Sequence, residues 1–245
     1  MTNQHLKLFF LFLKMISVKK HWFTIRAFFI CLLVYSFSCT ENKKPAEQPL
    51  PSTPGPIQEP AIDSLLITDS SWGLIRPNMK FTDLKAVYGE ANLKDERICG
   101  PECVDSLDVT KLYPGTINEA IIYWKEKAWH KTIAMIVCYQ DSARYNTDKG
   151  LNNKRGFSVL RWLNKQKIGF TGFGWDYGGS ITSYHNGQLE KTAIHYELDI
   201  SKNPSEDEMG VFGDTSLDSE MPLVKKLLPY IYIRKITLVL NNYEY

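Results

Sequence analysis

The chain has 245 residues, with 29 Lys and Arg against 27 Asp and Glu and a formal net charge of +2. The first 38 residues hold five bases (Lys7, Lys14, Lys19, Lys20, Arg26) and no acid, so the remainder carries 24 bases against 27 acids. Nucleic-acid binding needs a concentrated basic footprint to displace counterions from phosphates, and the body of the chain has none.

The N-terminal region reads as an export leader. A basic segment (Lys19, Lys20, Arg26) precedes an apolar run from Ala27 to Phe37, then Ser38 and Cys39. The run is far short of the ~20 residues that a membrane-spanning helix needs, but it suits a signal-peptide core. Basic, apolar, small, then cysteine is the order of a bacterial lipoprotein signal. Residues 1–38 are therefore expected to leave, with Cys39 as the lipidated N-terminus. Ser36-Phe37-Ser38-Cys39 is a relaxed lipobox, lacking the usual leucine three residues before the cysteine. Met15 begins a shorter leader with its own basic start, Lys19-Lys20. A lipoprotein leader implies a membrane anchor in the cell envelope, with the rest facing the periplasm or the cell surface.

Residues 39–61 contain Pro45, Pro49, Pro51, Pro54, Pro56 and Pro60 among few apolar residues. Such a stretch cannot bury a core and favours an extended polyproline conformation. At about 3.1 Å per residue it would act as a spacer of roughly 60 Å.

Residues 62–245 are long enough for one domain with its own core. The pattern predicts an α+β fold: a tandem repeat of a short helix plus antiparallel sheet, over about 71–140 and 149–200, followed by a helix and a strand. The first copy runs from Gly73-Leu74 to Phe81-Thr82-Asp83-Leu84-Lys85-Ala86-Val87; the second runs from Gly150-Leu151 to Phe157-Ser158-Val159-Leu160-Arg161-Trp162-Leu163. Thr82 and Ser158 are the expected N-caps, because a hydroxyl accepts from the first free amides of a helix. Leu84 with Val87, and Leu160 with Leu163, share a helical face. Gly89 is expected to close the first helix.

Hairpins are expected after each helix. Ala120–Trp124 and Thr132–Tyr139 make the first. Ser180–His185 and Thr192–Ile200 make the second, turned at Asn186-Gly187, a pair that accepts the positive φ angles of a type I′ turn. Along the returning strand Ile194, Tyr196, Leu198 and Ile200 point inward, and His195, Glu197 and Asp199 face water. Residues 91–118 are an insertion in the first copy. Ser205–Glu220 is an acidic loop, Met221–Leu228 a helix burying Met221, Val224 and Leu228, and Ile231–Leu240 a buried last strand.

The helical segment Met79-Lys80-Phe81-Thr82-Asp83-Leu84, running to Tyr88-Gly89 and echoed in the second copy, resembles the architecture of β-lactamase inhibitor proteins and of the small lipoprotein of the outer-membrane assembly machine. The run Gly172-Phe173-Gly174-Trp175-Asp176-Tyr177-Gly178-Gly179 resembles a segment shared by an uncharacterised group of bacterial envelope lipoproteins. That likeness covers most of Ser71–Leu240 and implies no particular activity.

Several constellations are candidates for chemistry. Cys99 and Cys103 enclose Gly100-Pro101-Glu102 and are expected to form a structural disulfide in an oxidising compartment. The segment is one residue too long for a thioredoxin-type motif. Cys138 falls in an apolar strand and reads as a buried thiol. Gly172–Gly179 is not a dinucleotide fingerprint, since Tyr177 occupies the third glycine position. It reads as a bulged backbone that glycines let pack closely, with Trp175, Asp176 and Tyr177 as the candidate contact surface. His130, His185 and His195 are not expected to share a metal. The acidic run Asp214–Glu220 lacks the glycine and the twelfth-position glutamate of a calcium loop. No metal and no cofactor is expected, and no Gly-x-Ser-x-Gly elbow occurs. The leading expectation is a protein-binding or assembly module with an envelope partner. The alternative is an envelope hydrolase or glycan-binding protein using Gly172–Gly179, which would need an acid–base pair beside Trp175.

Overall fold

A computed structural model describes residues 62–100, 103, 106–126 and 130–241. The expected leader, Cys39 and the proline-rich spacer lie outside the described residues. Leu66–Thr68 (β1) pairs antiparallel with Ser71–Trp72 (β2), and parallel with the later Asn146–Thr147.

Phe81–Tyr88 (α1) starts two residues earlier than a Thr82 cap requires, with Lys80 at the N-cap. The capping is done from inside the helix, where the Asp83 carboxylate accepts the Lys80 N–H at 2.8 Å. A carboxylate in the first turn also suits the positive end of the helix dipole. Gly89 closes α1 with φ 79°, its N–H donating to the Lys85 carbonyl. The inward pair is Leu84 and Tyr88, four apart, while Val87 is 41% exposed.

Residues 91–118 hold an antiparallel hairpin of Leu93–Cys99 (β3) and Ser106–Leu112 (β4). Cys99 and Cys103 are bonded at its tip, with their Cα atoms 4.9 Å apart. Ala120–Trp124 (β5) and Ile133–Cys138 (β6) form the first expected hairpin, with Ile121 opposite Val137. Asn146–Thr147 is β7, and Phe157–Asn164 is α2, which buries Phe157, Leu160 and Asn164. Its N-cap is Gly156 rather than Ser158, and Lys165 closes it with φ 59°.

The second expected hairpin does not form as a simple ladder. Gly169–Thr171 (β8) pairs with Ile181–Ser183 (β9), and Ile194–Ile200 (β10) pairs elsewhere, touching the β9 segment through an isolated bridge between Ser180 and Glu197. A tight turn does occur near Asn186-Gly187, displaced by one residue. His185 and Asn186 have φ 50° and 58°, and the Gly187 N–H donates to the Tyr184 carbonyl. Gly187 is instead required by packing, because a Cβ there would overlap the Asn164 side chain.

The acidic stretch is more ordered than a loop. Glu206–Val211 is a 3-10 turn, and Ser216–Asp218 (β11) pairs with β8. Pro222–Leu227 (α3) buries Val224 and Leu227, whereas Met221 is 38% exposed. Ile231–Val239 (β12) is the long inner strand of the main sheet.

The result is a mixed α/β protein dominated by sheet. Six antiparallel strands run in the order β10-β12-β6-β5-β4-β3, flanked by two three-stranded sheets, β2-β1-β7 and β11-β8-β9. The strands after α1 all join the large sheet, up to β6, whereas β8 and β9, which follow α2, join a small one. The main core contains Trp72, Trp124, Tyr145, Phe157, Phe170 and Phe173, each almost fully buried. Among the described residues, no helix is long and apolar enough to cross a membrane.

Candidate functional site: the outer face of the large sheet

A half-exposed antiparallel sheet normally shows a polar outer face. This one does not. Opposite the main core lies a second cluster, with Val109, Tyr123 and Val137 buried and Ile98, Leu107, Ile121 and Met135 packed on them. Register explains the clustering. Val109 faces Tyr123, Tyr123 faces Met135, and Met135 faces Val239 in one row across four strands. The next row runs Ile121, Val137, Thr237, His195.

At the β10 edge the surface becomes polar. A register shift between Glu197 and Leu198 breaks the β10–β12 ladder. Glu197, expected to face water, is only 7% exposed. Its carboxylate accepts from Arg234 and is paired with Lys235, which stands opposite it across the ladder. A buried carboxylate without such partners would be very costly. Lys235 Nζ also sits 5.6 Å from the centre of the Tyr139 ring. Ser180 closes the edge through its bridge to Glu197, reinforced by the Leu198 N–H donating to the Gly179 carbonyl at 2.9 Å.

Between these parts lies a recess of about 480 Å³, apolar along Leu107, Tyr123, Met135 and Val137 and polar at His195, Glu197, Lys235 and Thr237. Partial loss of water lowers the His195 pKa below the ordinary histidine value. That loss of water favours the neutral imidazole.

The Gly172–Gly179 segment leads into the rim of this recess, and its glycines answer to packing. A Cβ on Gly172 would lie 2.5 Å from the Gly213 carbonyl oxygen, and one on Gly179 would collide with the Leu198 carbonyl. Trp175 donates its ring N–H to the Gly172 carbonyl and meets the Tyr177 ring edge-on at 5.4 Å. Tyr177 is 51% exposed, Asp176 is exposed and Trp175 is half-buried. Neither these two nor Trp175 lines the recess.

The other singled-out residues stand apart. Cys99 reaches the recess edge. Cys138 is buried on the core face, where burial pushes its thiol up to about 11. His130 is packed between Phe81 and Trp124, with ring centres 5.2 and 5.0 Å away. His185 belongs to the tight turn. Among the described residues, no group of three or more His, Cys, Asp or Glu side chains is placed to hold a metal.

Glu197, Lys235 and the outer apolar rows were not singled out in the sequence. One signal for the rows was present. Ala120-Ile121-Ile122-Tyr123-Trp124 and Ile133-Ala134-Met135-Ile136-Val137-Cys138 are continuous apolar runs, the mark of strands buried on both faces. The buried Glu197 had no such signal, because its neighbours Arg234, Lys235 and Ser180 are distant in sequence and are brought to it only by the fold.

The fold and recess define a sheet-rich α/β protein with a second, outward apolar face. No family model matches the chain, and no curated protein matches it. Among solved structures, it is similar to the uncharacterised protein yfeY from Escherichia coli, at 12% identity and a TM-score of 0.40, over 71% of this chain and 98% of that one.

Proposed function

We propose that this chain is a lipid-anchored protein of the bacterial cell envelope that works as a protein-binding or assembly module. The anchor rests on the leader pattern ending at Cys39. The observation that carries binding over hydrolysis is the position of Asp176. It lies outside the recess, on a solvent-facing loop whose neighbours are an edge-to-face aromatic pair. A hydrolase would hold that carboxylate in a cleft beside a second acid or base. The exposed Tyr177, an aromatic with a polar tip, suits a protein contact instead.

Metabolic labelling with an alkynyl fatty acid tests the anchor. The mature protein is expected to carry label that Cys39→Ser abolishes; equal labelling of both would end this reading. For the partner, a photo-cross-linking amino acid at Tyr177 is expected to give one discrete envelope adduct, absent when it replaces the exposed Tyr230. Identical smears from both sites would count against a specific partner.

We also infer that the fold arose by duplication of a short helix with antiparallel strands, over about 71–140 and 149–200. In support, α1 and α2 are each eight residues long and each closes on a positive-φ residue. An experimental structure in which only the helices of the two halves superpose would refute the duplication.

A further inference from the structure

We propose that the exposed side of α2 is a binding site for an uncharged oligosaccharide, with the Trp162 ring as its platform. The site shares no residue with the outer-face recess or with Gly172–Gly179. It stands whether or not Tyr177 finds a protein partner.

α2 buries Phe157, Leu160 and Asn164. Ser158, Arg161, Trp162 and Lys165, three and four residues apart, therefore lie together on its other side. Such a side is ordinarily polar throughout. Trp162 breaks that pattern at 73% exposure, more than any other large apolar side chain among the described residues. Beside it, where α2 meets the junction of β11 and α3, lies an open recess walled by Arg161, Lys165, Gln166, Lys167 and Glu220. Its volume of about 830 Å³ falls within the usual range of small-molecule sites, ~300–1,000 Å³.

The walls decide the chemistry of the ligand. Glu220 Oε1 accepts from Arg161 Nη2 at 2.6 Å and Nε at 3.1 Å, and Oε2 is paired with Lys225 at 2.8 Å. Lys167 Nζ donates to Asp218 at 3.3 Å, and Lys165 Nζ to the Gln188 side-chain oxygen at 3.0 Å. An anionic ligand would have to displace Glu220 or Asp218 from Arg161, Lys167 and Lys225. Lys165 alone would otherwise hold it, and an exposed ion pair is worth little in water. An acyl chain would find a single ring, because every other lining side chain is polar or charged. A pyranose suits both surfaces at once. Its C–H groups pack flat on an aromatic face, and each hydroxyl both donates and accepts. Two of the five Arg161 N–H groups serve Glu220, and the other three have no partner among the described residues. The Gln166 amide and the Ser158 hydroxyl add donors and acceptors around the ring. Because Glu220 fixes the guanidinium before a ligand arrives, less side-chain freedom is lost on binding.

The full chain with a C-terminal epitope tag, read on an array of neutral and acidic glycans, tests this. Titration calorimetry with the best neutral oligosaccharide follows. That oligosaccharide is expected to saturate one site per chain. Its affinity is expected to change less than about two-fold between about 50 and 500 mM salt, because salt screens charges and leaves stacking alone. Trp162→Ala is expected to weaken binding at least about ten-fold, the cost of truncating a central aromatic contact. Trp162→Tyr is expected to recover part of that loss. Both substitutions fall on an exposed side chain, so the melting temperature is expected to stay within a few degrees of the unaltered chain. The proposal is overturned if no neutral glycan on the array binds, or if binding is confined to acidic glycans and is lost in salt. Unchanged affinity in a natively folded Trp162→Ala protein also overturns it.

Discussion

Asn164 occupies the space that a side chain on Gly187 would need. The buried Asn164 amide donates to the carbonyls of Gln166, Lys167 and Tyr184 and accepts the Leu189 N–H. One side chain thus ties the end of α2 to the turn before β10.

Two substitutions probe that tie. Gly187→Ala is expected to cost about 1–3 kcal/mol by overpacking. Asn164→Ala is expected to cost on the order of 3 kcal/mol, because buried carbonyls lose their donor. The double variant should be less destabilised than the sum, since truncating Asn164 makes room for the new methyl. Denaturant titrations check this, and strict additivity would refute the contact.

Gly179 offers a comparison with Gly115. Both have positive φ, 77° and 73°, but only at Gly179 would a Cβ meet other atoms, those of Leu198. Gly115→Ala is expected to cost about 1 kcal/mol from backbone strain alone. Gly179→Ala adds about 1–3 kcal/mol of steric cost and loosens the recess rim. Equal midpoint shifts for the two variants would contradict the packing account.

Stability in acid should depend on Glu208. Its side chain is 1% exposed, and Lys202 at 2.6 Å, then the Ser205 N–H, hold its pKa down from 4.5 to about 2. A depressed carboxyl stabilises the fold above its unfolded pKa and loses that contribution as pH falls through the folded value. The affected window is therefore about pH 5 to 2. Glu208→Gln is expected to lower the melting temperature at pH 7 and to flatten its fall across that window. Parallel melting curves against pH for both proteins would rule this out.

Cys138 is expected to be inert. With its pKa at about 11, only about one thiol in a thousand is ionised at pH 8. Iodoacetamide labelling, read on the Cys138 peptide, should occur only after denaturant is added. Rapid native labelling would show that the thiol is accessible.

Much of the secondary structure was legible because it depends on local pattern. The β5–β6 pair, α1, α2 and β12 follow from apolar periodicity and chain punctuation. The turn at Asn186-Gly187 was legible as a turn, but not its pairing. Whether β10 joins β9 or β12 depends on which partner buries more apolar surface, and Ile231–Val239 offers seven paired positions against a single bridge from Ser180. The caps were misplaced for a related reason. Thr82 and Ser158 are good capping residues, yet packing of Phe81 and Phe157 draws each helix two residues earlier.

The sequence by itself determined where apolar strands fall and how the cysteines are spaced, because each is a property of residues near one another along the chain. The recess was decided only by tertiary structure. Leu107, Tyr123, Met135, Glu197 and Lys235 come from five strands, and only the order and register of the sheet bring them onto one face.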